Sequence, residues 1–190
     1  MNEPGISGAG LVVRGRHHLF LHPAATAARD HRPKAQQIYF EPTISFTAAT
    51  TTTTMIPNKE FSALSSPLPL NVHLLTLEPW GPSGSDVLLR LEHYFEKGED
   101  AVFSLPVKVD LARAFEALKL EDFVEMTLGA NKVKATATRL KWKAKDGSTI
   151  GGDVGVDETL ENKMQQENDG GFLVTLNPMQ IRTFVAKRRA

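Results

Sequence analysis

Apolar and polar positions alternate most plainly in the second half of the chain, and that alternation predicts strands. Leu70, Val72, Leu74, Leu75 and Leu77 form one apolar run closed by Pro79, and Val87, Leu88, Leu89 and Leu91 form another. Between them lies EPWGPSGSD, whose prolines fix φ and whose glycines free it, so the two runs predict an antiparallel hairpin. Val102 to Leu111 places Leu105, Val107 and Val109 on one side and predicts a third strand. Ala112 to Leu118 holds good helix formers behind Asp110, a candidate N-cap, and predicts a short helical turn. Alternation resumes over Lys119 to Leu128, with Leu120, Phe123 or Val124, Met126 and Leu128 apolar, and Gly129 to Lys132 reads as the turn that follows. Ala135 to Lys143 sets Leu140 and Trp142 against Arg139, Lys141 and Lys143, the pattern of a half-buried strand. Phe172 to Leu176 and Met179 to Ala186, split by Asn177 and Pro178, predict two final strands.

The first third is patterned differently. Residues 1 to 10 read as a loop, and Gly5, Gly8 and Gly10 lack the GxGxxG spacing of a nucleotide-binding turn. Leu11 to His22 is a β-rich run with Gly15 at its middle, which predicts a bulge or bend. Pro23 to Gln37 is alanine-rich, with Pro23 suited to the first helical position and Pro33 limiting the helix to a short or broken one. Ile38 to Ala48 returns to β character, and Pro42 places it near a sheet edge or strand start. Residues 48 to 69, with threonines from Thr50 to Thr54 and then prolines and serines, form the clearest boundary and read as an exposed connector. Residues 145 to 171, rich in glycine and acids, read as a long loop or partly disordered insertion.

Strands with one apolar face each must stack as two sheets to bury those faces. The fold class expected is therefore all-β, an antiparallel β-sandwich over residues 68–187 with one or two short helices. A linker covers 49–67. Residues 1–48 offer too few strands for a core of their own and read as the tail of a larger β domain.

Composition narrows the function classes. The 22 basic and 22 acidic residues cancel, so no global field favours nucleic acid or an anionic membrane. No apolar run approaches the length of a membrane span, and the start shows neither the basic nor the apolar region of a secretion signal. The absence of cysteine removes disulfides and thiolate metal sites. No Asn-x-Ser/Thr sequon occurs.

Four blocks in one order, NVHLLTLEPWG, LLRLEHYFEKGED, ATRLKWKAKDG and LNPMQIRTF, resemble the C-terminal end of lysosomal-type alpha-mannosidases, glycoside hydrolase family 38. The resemblance covers most of residues 8–20 and 68–187. It implies a retaining, zinc-dependent glycosidase acting on alpha-mannosides in N-glycan catabolism, in the lysosome or vacuole. It also implies that residues 1–48 end a large mutarotase-like supersandwich. In that family the zinc ligands and the nucleophilic and acid/base aspartates lie upstream of the matched blocks, and none of those motifs is in this chain. The resemblance thus assigns no catalytic, cofactor-binding or metal residue here, and the isolated chain is expected to be inactive. The partners implied are the catalytic domain of the same polypeptide and, through the full enzyme, mannosylated glycans.

His18 and His22 share a strand face but stand about 13 Å apart at the strand rise, too far to share one zinc, and His17 faces the other way. His73 and His93 fall on neighbouring strands of the predicted hairpin without a third ligand, so packing roles are favoured. Glu92, Glu96, Glu99 and Asp100 cluster, as do Glu121, Asp122 and Glu125, and Asp157, Glu158 and Glu161. A retaining glycosidase needs two carboxyls about 5 to 5.5 Å apart, and nothing marks these clusters as more than solvated faces. Ser83 lies on a turn rather than in a nucleophile elbow. Trp80 and Trp142 offer a sugar-stacking platform, with a core or interface role favoured. Arg90, Glu92 and Arg182 are expected to form a structural salt-bridged seam. The first expectation is a scaffold packing an apolar sheet face on a catalytic body. The alternative is a stand-alone carbohydrate-binding or degenerate non-enzymatic β module.

Overall fold

The computed structural model describes residues 8, 10, 13–46, 60–138, 142–146, 149–150, 165–166 and 171–189. The predicted hairpin forms from β1, Val72–Trp80, and β2, Asp86–His93, paired antiparallel with Leu77 opposite Leu89 and Trp80 opposite Asp86. Gly81 and Gly84 take φ values of 80° and 64° in the turn between them, left-handed conformations that cost glycine little.

The third strand is shorter than its pattern suggested. Of 102–111, only β3, Val107–Asp110, is extended, and residues 101–104 turn before it. Asp110 then caps α2, Leu111–Ala114, accepting the Arg113 amide as expected of an N-cap. β4, Leu120–Met126, carries a register shift between Glu121 and Val124, with Asp122 at φ 52°. That extra residue lets both Leu120 and Phe123 point into the core, where strict alternation would have turned Phe123 out.

The half-buried strand expected over 135–143 falls partly on residues 139–141, which lie outside the described residues. Among its described residues Lys134–Thr136 is a single 3-10 turn, and only β5, Trp142–Lys143, forms a strand, pairing with β6, Thr149–Ile150. Both residues of β5 are exposed, so no core holds this two-residue strand in register. Leu140 and most of the 145–171 insertion lie outside the described residues; within it β7, Gln165–Gln166, pairs with β8, Phe172–Leu176. The chain ends in β9, Ile181–Arg188.

Two sheets face each other, one in the order β1-β2-β9-β4 and one in the order β3-β8-β7. Leu89, Leu91, Phe184, Ala186 and Phe123 from the first meet Val109, Val174 and Leu176 from the second, and Leu111 and Phe115 close one end. Burial of each such side chain contributes roughly 1.5–3 kcal/mol, so this layer carries the stability of the sandwich. The β-sandwich expected from the pattern is thus observed.

Residues 13–46 depart from their pattern. Neither 13–22 nor 40–46 forms a strand, because among the described residues no strand pairs with them. The helix α1, Ala27–Tyr39, starts after Thr26 rather than at Pro23, whose carbonyl accepts the Thr26 amide. It also runs through Pro33 unbroken. An interior proline costs a helix about 3 kcal/mol, so α1 depends on its contacts with the sandwich rather than on intrinsic propensity.

Candidate functional site

Charged side chains concentrate at two places. The first lies where β4 and β9 run side by side. The shifted register of β4 turns Glu125 to the same face as Phe184, its partner on β9, and so toward Arg182. Arg182 Nε donates to Glu125 Oε1 at 2.9 Å and Nη2 to Oε2 at 2.7 Å, a bidentate pair, while Nη1 donates to the Thr175 carbonyl on β8. Lys134 Nζ adds a donor to Oε1 at 2.8 Å. Glu125 and Arg182 are 9% and 2% exposed, so the pair sits at the rim of the core. Burial works to raise the Glu125 carboxyl, but the bonds from Arg182 and Lys134 outweigh it and hold it below the usual range. Outside the pair opens a cleft of about 420 Å³ that reaches Asn131, Lys132 and Thr138.

The second place joins the segment around α1 to the loop after β2. Asp100 Oδ1 accepts the amides of Val102 and Phe103 at 2.8 and 2.9 Å, and Arg29 reaches both carboxylate oxygens at 3.2 and 3.3 Å. Those two amides first, and then Arg29, hold the Asp100 carboxyl down to about 2 against the cost of desolvation. Arg32 donates to the Tyr94 carbonyl at 2.6 Å and pairs with Glu99. Ala28 packs with Tyr94, Phe95 and Phe103, and the Arg29 guanidinium lies 5.3 Å from the Phe103 ring centre.

The residues singled out in the sequence scatter. His17 and His18 are exposed, and His22 pairs with Asp30 at 3.1 Å. His73 and His93 do not meet: His73 stands opposite Glu92 and contacts its carboxylate at 3.4 Å, whereas His93 stands opposite Val72 in the core, beside Asn71 and the Leu105 carbonyl. Adjacent registers point to opposite faces, which is why the pair separates. Of the acids expected on solvated faces, Asp100 and Glu125 are buried and Glu99 is paired, while Glu96 and Glu121 are exposed and Asp122 binds Lys187. Asp157, Glu158 and Glu161 lie outside the described residues.

Ser83 is on the β1–β2 turn and hydrogen-bonds Ser85. Trp80 ends β1 half-buried, and Trp142 stands 60% exposed on β5, in a separate sheet. The expected seam is replaced: Arg182 pairs with Glu125, not Glu92, and Arg90 binds Thr76 and the Leu128 carbonyl. Among the described residues no group of three or more His, Asp or Glu side chains is placed to hold a metal ion, so these residues do not fit the zinc that the resemblance implies.

What the fold defines is an antiparallel β-sandwich whose buried charges are engaged in holding strands and a helix together. The chain belongs to glycosyl hydrolase family 38: residues 71–184 match the family's C-terminal beta sandwich domain. It is 37% identical to the lysosomal alpha-mannosidase of Cavia porcellus, over 98% of this chain and 18% of that protein. It is similar to the human lysosomal alpha-mannosidase at 38% identity, over 95% and 17% of the two chains. An alpha-mannosidase of Canavalia ensiformis is 34% identical over 93% and 17%. The chain therefore spans less than a fifth of the length of these relatives.

Proposed function

We propose that this chain is the C-terminal β region of an alpha-mannosidase and serves as a scaffold that packs on the enzyme's catalytic body. The observation that carries this reading is the alignment of 93–98% of the chain with only 17–18% of alpha-mannosidases. On this reading residues 68–187 are the terminal sandwich, 49–67 a linker and 1–48 the end of a preceding supersandwich. Retaining, zinc-dependent hydrolysis of mannosylated glycans, in the lysosome or vacuole, belongs to the full enzyme, with zinc bound outside this chain.

The distribution of apolar surface supports a packing role but moves it. The exposed face of the larger sheet was expected to be apolar, yet on its outer side Thr76, Glu78 and Arg90 stand beside Val185, and Leu88 and Thr183 there are buried. Exposed apolar side chains gather instead in 13–46, where Leu19, Leu21 and Phe46 are 94–97% exposed. Such a stretch, fastened to the sandwich by α1, suits burial against a neighbouring body.

The purified chain with zinc added is expected to release no chromophore from an aryl alpha-mannoside, and turnover by the chain alone would overturn the scaffold assignment. Replacing the matching region of the human lysosomal enzyme with this chain is expected to retain activity that deletion of the region abolishes. Loss of activity in both would count against a shared packing role.

A further inference from the structure

The cleft beside β4 and β9 carries more positive charge than its one carboxylate needs. Among the described residues Lys132, Lys134 and Arg182 line it against Glu125 alone, which leaves two positive charges uncompensated among them. Glu125 already accepts three bonds from Arg182 and Lys134, so about one of its four acceptor positions remains. The Lys132 ammonium has no acidic partner among the described residues.

The donors are also held in place. Thr127 N donates to the Lys132 carbonyl at 2.9 Å, Ala130 N donates to the Thr127 carbonyl at 2.8 Å, and Met126 bridges Val133, so the turn is a closed unit. Within it the Thr127 hydroxyl donates to Asn131 Oδ1 at 2.7 Å, which commits the amide oxygen and leaves the amide NH₂ as donor. Two ammonium groups and an amide NH₂ on a rigid turn, over a buried guanidinium, match an oxyanion. The Thr138 hydroxyl and the apolar Ile181 line the same hollow and suit a hydroxylated carbon frame. The other cationic hollow, at Ser85, Lys119, Arg188 and Arg189, is walled by exposed side chains with no buried polar group, so nothing there fixes a geometry.

We propose that the cleft between β4, the 127–134 turn and the start of β9 binds a small ligand bearing a carboxylate or phosphate on a hydroxylated frame. Lys132, Lys134 and the Asn131 amide take the oxyanion, and Thr138 contacts a hydroxyl. The site does not depend on the scaffold reading, because every residue named in it belongs to the described part of this chain.

The test is an amide-resolved NMR titration of the full chain with glucuronate, inorganic phosphate and glucose, at low and raised salt. Glucuronate and phosphate are expected to shift the amides of 127–134 and 182–183 saturably, with affinity falling as salt screens the cations. Lys132→Glu, at an exposed turn position, is expected to weaken both by roughly tenfold or more while the remaining spectrum stays unchanged. Saturation by glucuronate alone supports a sugar acid as ligand, and saturation by phosphate alone supports a phosphate ester or free phosphate. Absence of shifts with both anions, glucose binding as well as glucuronate, or unchanged affinity in Lys132→Glu would each overturn the proposal.

Discussion

Glu125 and Asp100 are both buried carboxylates facing an arginine, yet they are held in different ways. Glu125 receives only side-chain cations, and its arginine is as buried as it is: the Arg182 side chain is 1% exposed. Asp100 is held first by the backbone amides of Val102 and Phe103, and the Arg29 side chain that joins it is 40% exposed. One pair ties two strands of a single sheet, and the other ties a helix to a loop. A buried carboxylate whose donors are all cations is stranded when a cation goes, whereas one anchored by its own loop stays satisfied and loses only its visitor.

The largest effect should therefore come from Arg182→Ala. It leaves Glu125 buried with Lys134 alone, and removing one partner of a buried pair costs about 3–5 kcal/mol, read as a lower urea midpoint. Replacing both, as Glu125→Leu with Arg182→Leu, is expected to recover most of that loss, since apolar side chains of similar volume need no pairing. Recovery of none of it would mean that the pair does more than satisfy itself. The pH dependence has a fixed sign. The Glu125 carboxyl is depressed in the fold, so its contribution is fully present above the ordinary carboxylate value near 4.3 and is lost as pH falls through the folded value below it.

Asp100→Ala comes next, and it should act locally. It removes the acceptor of two amides and of Arg29 together, so hydrogen exchange in Ala27–Tyr39 is expected to approach that of an unprotected segment while β2 and β9 stay protected. With its carboxyl held at about 2, the contact should survive down to pH 4 and loosen between about 4 and 2. Arg29→Ala tests the other half of the contrast. Its exchange effect on α1 should be only a few-fold, because a partly exposed pair is weak and Arg32 still holds the helix to Tyr94 and Glu99. An Arg29→Ala effect as large as that of Asp100→Ala would erase the distinction.

How far these two places were legible in the sequence follows from their geometry. The hairpin, the Asp110 cap and the last two strands were readable because alternation and turn residues agree there with what the core requires. Glu125 was not, because a single extra residue at Asp122 inverts the faces after it, and strict alternation carries no mark of a bulge. Phe123 and Val124, adjacent apolar residues in an otherwise alternating run, are the one trace of it. Asp100 was hidden for another reason: its partners are backbone amides two and three residues on and an arginine 71 positions away, and no local spacing encodes the latter. The strands expected in 11–22 and 38–48 do not form over the described residues 13–22 and 40–46, and residues 38–39 end α1, because propensity without a pairing partner among the described residues does not make a strand. Trp142 drew attention as a stacking residue, yet it stands on a two-residue strand away from Trp80.

The smallest effect sharpens the comparison from its other end. Lys187 and Asp122 make an ion pair at 3.0 Å with both side chains more than 60% exposed. The hydrogen bond to Asp122, and then its charge, raise the Lys187 ammonium, so any contribution would be present below the ordinary lysine value near 10.4 and lost as pH rises through the higher folded value. Water solvates both groups as well apart as together, so the pair has little to lose. Lys187→Ala should leave the thermal midpoint unchanged within error at neutral pH, at low and at high salt. Asp122 nevertheless sits at φ 52° in the bulge that turns Glu125 inward, so its backbone matters where its charge does not. Asp122→Gly, which relaxes that left-handed conformation, should keep the Glu125–Arg182 pair intact, whereas Asp122→Val should strain the bulge and lower the urea midpoint. If Lys187→Ala proved as damaging as Asp122→Val, surface charge rather than strand register would be holding this edge of the sheet.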